Sequence, residues 1–349
     1  MTDSTLTHEP PPPQADANAR RAFGKLLDIA GRLLALAAVF TFFWWIVPGD
    51  RFLSIGNLEN ILTQSAVYTM AGLGMTMIII TGGIDLAAGS TIALSIMVTA
   101  LILKHGGESP AWYVTPLAVT GGALAGMAVG AFQGALITGL RVVPFIITLG
   151  GLVGIRGLAK NITHDTEISV PEGWLYRHLM FPVQGNQFSW QLFPLGVWAT
   201  IAAAVLAAAL LRYTRLGRHI YAIGSSEATA RLCGVPVQRT KIMVYALGGL
   251  FAGLAGVLEF SKNSYGQPTA AQSYELYIIA ACVIGGASLR GGVGTIFGTV
   301  IGSLIIGILY SGSEQADWAK YTQEEVIGAT IIIAVAVDQL RNRKSSAAG

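Results

Sequence analysis

A single carboxylate, Asp85, stands in the run GMTMIIITGGIDLAAGS (residues 74–90), where a membrane-length apolar stretch ends in a turn made by Gly82 and Gly83. A charged group at membrane depth is costly and often functional. As a helix cap, Asp85 accepts N–H bonds from the following turn. As a gating group, it couples to conformational change. A proton relay would need acidic partners in neighbouring spans, and only Glu259 and Asp338 lie near span ends, so proton coupling is disfavoured. Other reactive constellations are missing from the sequence. It contains no G-x-x-x-x-G-K-[ST] phosphate loop, no Ser/His/Asp set or paired carboxylates at hydrolytic spacing, and no His-x-x-x-His pair among five histidines. Cys233 falls in a basic loop and Cys282 in an apolar segment, which reads as two free thiols and fits neither a disulfide framework nor a cysteine zinc site. The chain is therefore expected to be no enzyme, with no metal and no cofactor of its own.

The elements that hold Asp85 are membrane spans. Hydrophobic residues make up 53% of the 349 and charged residues 12%, against about a quarter charged in soluble domains; the mean hydropathy is +0.58. A spanning helix needs about 20 apolar residues, and ten windows qualify: 29–47, 58–81, 86–104, 112–139, 143–160, 191–211, 239–260, 273–289, 291–311 and 322–340, with half-helices possible on either side of Gly291. The fold class is all-α, a polytopic transmembrane helix bundle of about ten spans. The first window is preceded by Arg20, Arg21 and Lys25, but its length, its bulky FFWWIV end and its lack of a small-residue cleavage site make it a retained anchor rather than a secretory signal.

Lys and Arg accumulate on the cytoplasmic side of spans. With the N-terminus inside, fifteen of the 22 basic residues fall on the inner ends, among them Arg32, Arg141, Arg212, Arg290 and Arg341, and seven on the outer, among them Arg51, Arg156 and Lys262. Both termini are thus expected in the cytoplasm, and the net charge of +3 expresses orientation rather than a nucleic-acid partner. Residues 1–25, with four successive prolines in EPPPPQ, read as a disordered cytoplasmic tail. The transmembrane body occupies 26–341, with a cytoplasmic loop at 212–241 and an external segment at 161–190, and 342–349 forms a second tail. The external segment carries Trp174, Tyr176, Phe181, Phe188 and Trp190, aromatics that settle at a lipid interface.

Packing between spans relies on close approach at small residues. Gly122, Gly126, Gly130 and Gly134 recur every four residues along one face; Gly249 with Gly253, and Gly298 with Gly302, repeat the spacing. Polar side chains inside spans, Gln64, Thr69, Gln133 and Thr148 together with Ser65 and Thr76, are candidates for lining a pathway, where contacts must be weak enough to permit release. The strings GGIDLAAGST (82–91) and GGASLRGGVGT (285–295) are similar, by internal repetition or by convergence on a glycine turn. The loop RYTRLGRHIYAIGSSEATARLCGVPVQRTK (212–241) is long enough for a short surface helix with a crest of small residues, stopped by Gly234 and Pro236. It reads either as a solvated basic loop or as a helix that enters a partner's groove.

Four segments, IIITGGIDLAAGS, VVPFIITLGGLVGIRGLA, AIGSSEATARLCGVPVQRTKIMVYALGGLFAGLAG and YELYIIAACVIGGASLRGGVGTIFGTVIGSLIIGIL, resemble in order the permease subunits of the ribose, xylose and galactose class of ABC importers, over roughly residues 56–338. The resemblance implies the ABC importer permease type: two permeases, either copies of this chain or this chain with a sister subunit, two cytoplasmic ATPases that bind ATP and Mg, and a periplasmic sugar-binding protein, in a bacterial inner membrane. It implies that Ser225, Ser226, Glu227, Ala228, Thr229, Ala230, Arg231, Leu232, Cys233 and Gly234 form a coupling helix that docks on the ATPase. The family commonly has Asn at the position of Ser226 and Ser at that of Cys233, which points to a matched change in this chain's own ATPase. A monosaccharide, pentose or hexose, is the implied substrate; a furanose-like signal, a polyol or a nucleoside is the alternative. An ion-coupled secondary transporter would need a coupling-ion site that the spans do not offer, and a membrane enzyme or passive channel leaves the basic loop unexplained.

Overall fold

The computed structural model describes residues 14–107, 111–171, 173–180 and 193–347. Twelve helices follow in order: α1 (Gln14–Ile46), α2 (Ile55–Ile80), α3 (Ala88–His105), α4 (Val114–Leu140), α5 (Pro144–Asn161), α6 (Leu195–Tyr213), α7 (Arg215–Ser225), α8 (Glu227–Leu232), α9 (Val237–Asn263), α10 (Tyr274–Ile284), α11 (Ile296–Gln315) and α12 (Lys320–Ala347). Two dipeptides, β1 (Ile168–Ser169) and β2 (Tyr265–Gly266), pair antiparallel and tie the segment after α5 to the end of α9. The all-α expectation holds.

Each of the ten expected windows contains a helix, but the count of ten spans is not confirmed. Among the described residues seven helices are long and apolar enough to cross a membrane: α1 from Ile29, α2, α3, α4, α6, α9 and α11. Of the others, α10 has 11 residues, about 16 Å at 1.5 Å per residue, roughly half of a 30 Å hydrocarbon core. Its apolar window looked span-length because the run YIIAACVIGGASL continues through the turn that ends the helix, where Gly286 has φ +85°. On the N-terminal side, residues 267–273 are not helical, and Ala271 and Ser273 adopt left-handed backbone. Helix α1 begins at Gln14: beyond the prolines, QADANARRAFGK is rich in good helix formers and continues directly into the span. Residues 1–13 lie outside the described residues, as do 181–190 of the external segment.

Helix α2 is the axis of the bundle, and its spanning window is buried along its whole length. It packs against α9, α10, α11 and α6, and Ser54 caps it by accepting the Asn57 N–H at 3.3 Å. The most extensive helix pair is α4 with α9, and the glycine stripe explains it. A Cβ built on Gly126 would lie 2.8 Å from Gly253 Cα, and one on Gly134 would lie 2.9 Å from Ile242 Cα. The α2–α9 contact has the same character, since a Cβ on Gly74 would meet Gly248 Cα at 2.6 Å. By contrast, Gly150, Gly154 and Gly157 of α5 have nothing within 4 Å of a Cβ position.

This difference is testable. A Gly126→Val substitution forces α4 from α9, and overpacking of this kind costs about 1–3 kcal/mol; the melting temperature of the detergent-solubilised chain should fall by several degrees. A Gly154→Ala control should melt with the wild type.

Candidate functional site: the α7–α8 elbow and the polar layers beneath it

Residues 212–241 form two helices rather than one. The α7 helix starts at a Thr214 cap, whose side chain accepts the Gly217 N–H at 3.2 Å. Ser226 is extended (φ −164°, ψ 107°) and breaks the helix. Its hydroxyl accepts the Thr229 N–H at 3.3 Å and lies 2.9 Å from Thr229 Oγ1, so it caps α8. Gly234, with φ +81°, ends the turn, and Val235 N–H returns to Ala230 O at 3.0 Å. Of the ten coupling residues, Ser225 ends α7, Ser226 caps α8, and Ala230 is buried against Ile223 and Val237. Ala228, Thr229, Leu232 and Cys233 form the exposed crest, with Leu232 89% exposed.

Glu227 locks this elbow. Its carboxylate accepts from Lys241 Nζ at 2.7 Å and from Arg231 Nη2 at 2.9 Å. The Lys241 hydrogen bond, with Arg231 beside it, holds the carboxyl below its ordinary value of 4.5. A depressed folded-state value means that the clamp's contribution is complete above the unfolded value and is lost as pH falls through the folded one.

The elbow's inner side rests on the turn that carries Asp85. Gly292 N–H donates to Ile80 O at 2.8 Å, and Tyr221 Oη donates to Gly294 O at 2.8 Å. A Cβ on Gly291, itself at φ +87°, would lie 3.0 Å from both Gly224 O and Gly82 N. Two glycine turns therefore meet against the end of α7, and the similar strings at 82–91 and 285–295 are in direct contact. Asp85 is 4% exposed, and its Oδ1 accepts the Ala87 N–H at 2.8 Å. The capping expectation needs one correction, because the N-cap position of α3 is Ala87 and no side chain caps it. Asp85 closes the turn before the helix, since two further turn residues intervene. Gly82 has φ +78°, which favours glycine. At Gly83 a Cβ would lie 2.5 Å from Tyr245 Oη.

Thr148 and Gln133 join this neighbourhood. Thr148 Oγ1 donates to Ile84 O at 3.2 Å, and Gln133 packs by Gly151, beside Ala87. The amide atoms of Gln133, Tyr245 Oη and Glu275 Oε2 have no hydrogen-bond partner among the described groups. Gln64 lies elsewhere, in a second layer. Its Nε2 donates to Tyr68 Oη at 2.7 Å, and Lys262 Nζ donates to its Oε1 and, at 3.3 Å, to Glu259 Oε2. Tyr274 Oη donates to Glu259 Oε1 at 3.2 Å, and the rings of Tyr68, Tyr274 and Tyr277 stack edge-on or tilted at 5.1–6.1 Å. Thr69 is separate again, on the wall of an apolar groove between α2, α6 and α11. All four pathway candidates are buried within the chain.

Sequence reasoning missed Arg156 and Glu275. The guanidinium donates to Pro268 O at 3.1 Å, Ala270 O at 2.5 Å and Ala271 O at 3.4 Å, which fixes the irregular approach to α10. Glu275 packs against Gly89 at the start of α3. The signal was Tyr274-Glu-Leu-Tyr277, an acid set between aromatics three apart in an otherwise apolar window.

An all-helical bundle whose spans pack on glycine, with an amphipathic elbow at one end, defines a multi-pass membrane permease. Residues 57–335 match the family described as the branched-chain amino acid transport system / permease component, and the chain belongs to that family. It is 40% identical over 313 residues to the ribose import permease protein RbsC of Escherichia coli strain K12, covering 88% of this chain and 92% of the relative. The D-allose transport system permease protein AlsC of the same strain is 34% identical over 333 residues, covering 94% and 97%. The L-arabinose ABC transporter permease protein AraH of Azospirillum brasilense is 32% identical over 333 residues, covering 95% and 94%. No solved structure matches the chain significantly.

Two outcomes test the site. Amide protection in α8, followed by hydrogen exchange, should be high at pH 7 and fade as pH falls below the ordinary carboxylate range. In Glu227→Gln it should be lower at pH 7 and independent of pH. Asp85→Asn retains an acceptor for the Ala87 N–H and should melt with the wild type, whereas Asp85→Ala leaves that N–H without its acceptor and should lose about 1 kcal/mol, read as a lower melting temperature.

Proposed function

We propose that this chain is the membrane-spanning permease of an ATP-driven, binding-protein-dependent importer of a monosaccharide, pentose or hexose, in a bacterial inner membrane with both termini in the cytoplasm. The observation that carries the reading is the elbow. Helix α8 turns Ala228, Thr229, Leu232 and Cys233 outward, while Ala230 and Glu227 anchor it to the bundle. A short helix with a small, apolar crest suits a socket on a cytoplasmic ATPase, which supplies ATP and Mg chemistry that this chain's sequence has no motif to perform.

The contact from Gly224 through Gly291 and Gly292 to Gly82 then carries ATPase closure from α7 to the α2–α3 turn as rigid-body motion. The sugar assignment is supported by relatives named for ribose, D-allose and L-arabinose over nearly the full chain. A second permease, as a copy or a sister chain, has a natural seat on α5: its Gly150, Gly154 and Gly157 face open space, and small residues three or four apart permit close approach of a partner helix. The pathway would form between the two permeases, with a periplasmic sugar-binding protein at the outer mouth. The buried candidates Gln64, Thr69, Gln133 and Thr148 shape it through helix packing.

Ala228→Pro breaks α8 and should abolish uptake, below a tenth of the wild-type rate, with unchanged membrane abundance. Purification from native membranes in mild detergent should recover an ATPase with the wild type and lose it with Ala228→Pro. Transport at the normal rate by the variant would overturn the coupling role.

A further inference from the structure

A cavity of about 350 Å³ opens beside α8, at the end of the bundle that carries the elbow. Its walls come from the end of α4 (Ile137, Arg141), the start of α5 (Pro144), α8 (Glu227, Arg231) and the start of α9 (Gln238, Lys241). Three cations and one carboxylate face it, and Glu227 engages Arg231 and Lys241 with one oxygen each. Positive charge is left in excess, with donors to spare on Arg231 and Lys241. Arg141 completes the set from a left-handed backbone (φ 56°, ψ 35°), a conformation that glycine or asparagine adopts with less strain.

We infer that this cavity binds the phosphodiester headgroup of an anionic phospholipid. Two features favour a lipid over an acidic side chain of a partner protein. First, exposed apolar side chains flank Arg141 at the cavity mouth, Leu140 before it and Val143, itself in the cavity wall, after it. An acyl chain lying on that patch delivers its headgroup to the cavity. Second, Glu227 and Arg231 share one face of α8, while Ala228 and Leu232 lie about 100° round the helix, so the crest offered to a protein partner points elsewhere. Basic pockets between helices at the cytoplasmic surface are suited to anionic headgroups, and the volume is that of a small-molecule site. The inference rests on membrane embedding and leaves the ATPase assignment aside. The bound phosphate links α4, α8 and α9, so the elbow is set by lipid as well as by Glu227.

The test uses the full chain in mild detergent, with melting followed by tryptophan fluorescence and retained lipid counted by native mass spectrometry. Phosphatidylglycerol should raise the melting temperature by at least 3 °C over phosphatidylcholine, and inorganic phosphate at equal concentration should not. Arg141→Asn, which suits the left-handed backbone, should reduce retained phosphatidylglycerol at least threefold. Gln238→Glu, which places a like charge in the cavity, should do the same. Arg218→Gln, at an exposed position on α7, should retain the wild-type count. Equal stabilisation by phosphatidylcholine, full reproduction of the shift by inorganic phosphate, or unchanged retention in both cavity variants would overturn the proposal. Loss of a co-purifying ATPase in Arg141→Asn with unchanged lipid retention would overturn it in favour of a protein acid.

Discussion

Backbone-to-backbone contact at glycine is the constraint on which the other features of this bundle depend. In lipid, apolar side chains gain little by leaving the hydrocarbon for one another, so helices are held by close packing and by polar contacts. Here α4 meets α9 along Gly122–Gly126–Gly130–Gly134, and α9 meets α2 where Gly74 faces Gly248. These two seams fix the position of α9, and α9 carries Tyr245 against the Asp85 turn and Lys262 and Glu259 in the second polar layer. Widening either seam by a methyl group would displace both.

The second consequence of glycine is local. At Gly224 a Cβ would overlap Ile80 O and Gly292 N, and at Gly291 it would crowd Gly224 O and Gly82 N, while Gly82, Gly291 and Gly292 adopt positive φ. The elbow is thereby joined to the α2–α3 turn through hydrogen bonds and van der Waals contact rather than through a flexible linker. A displacement of α8 passes to α7 through the Ser226 cap and the Ile223–Ala230–Val237 cluster, and then to Ile80 through Gly292. Packed interfaces of this kind shift as units.

Polar groups at depth are arranged in two layers with different degrees of satisfaction. The layer around Gln64, Lys262, Glu259 and Tyr274 pairs charge with charge and donors with acceptors, which offsets the cost of burying them. In the layer around Asp85, the atoms of Gln133, Tyr245 and Glu275 without partners sit where α3, α4, α9 and the half-length α10 converge. Arg156 maintains that convergence by binding the carbonyls of Pro268, Ala270 and Ala271 in the non-helical approach to α10. Irregular backbone at membrane depth is tolerated only where such donors are provided.

The sequence by itself determined the all-helical membrane class, the positions of ten apolar segments, the glycine seams and the basic loop, because each depends on composition and spacing along one stretch of chain. The stripe at 122–134 announced a close helix contact, and Gly234 with Pro236 announced the end of α8. Hydropathy could not show that α10 is a half-length helix, since it averages over a glycine turn as readily as over a helix. Nor could it show that α1 starts at Gln14. Tertiary structure alone decided that Asp85 closes a turn before the Ala87 cap, that Gln64 belongs to one polar layer and Gln133 to another, and that Arg156 serves the carbonyls before α10. Apart from Asp85, whose partner Ala87 is two residues away, those outcomes depend on which polar groups meet across 64 to 198 residues, as in Thr148 to Ile84 and Lys262 to Gln64, and such partners are chosen by helix packing rather than by neighbouring sequence.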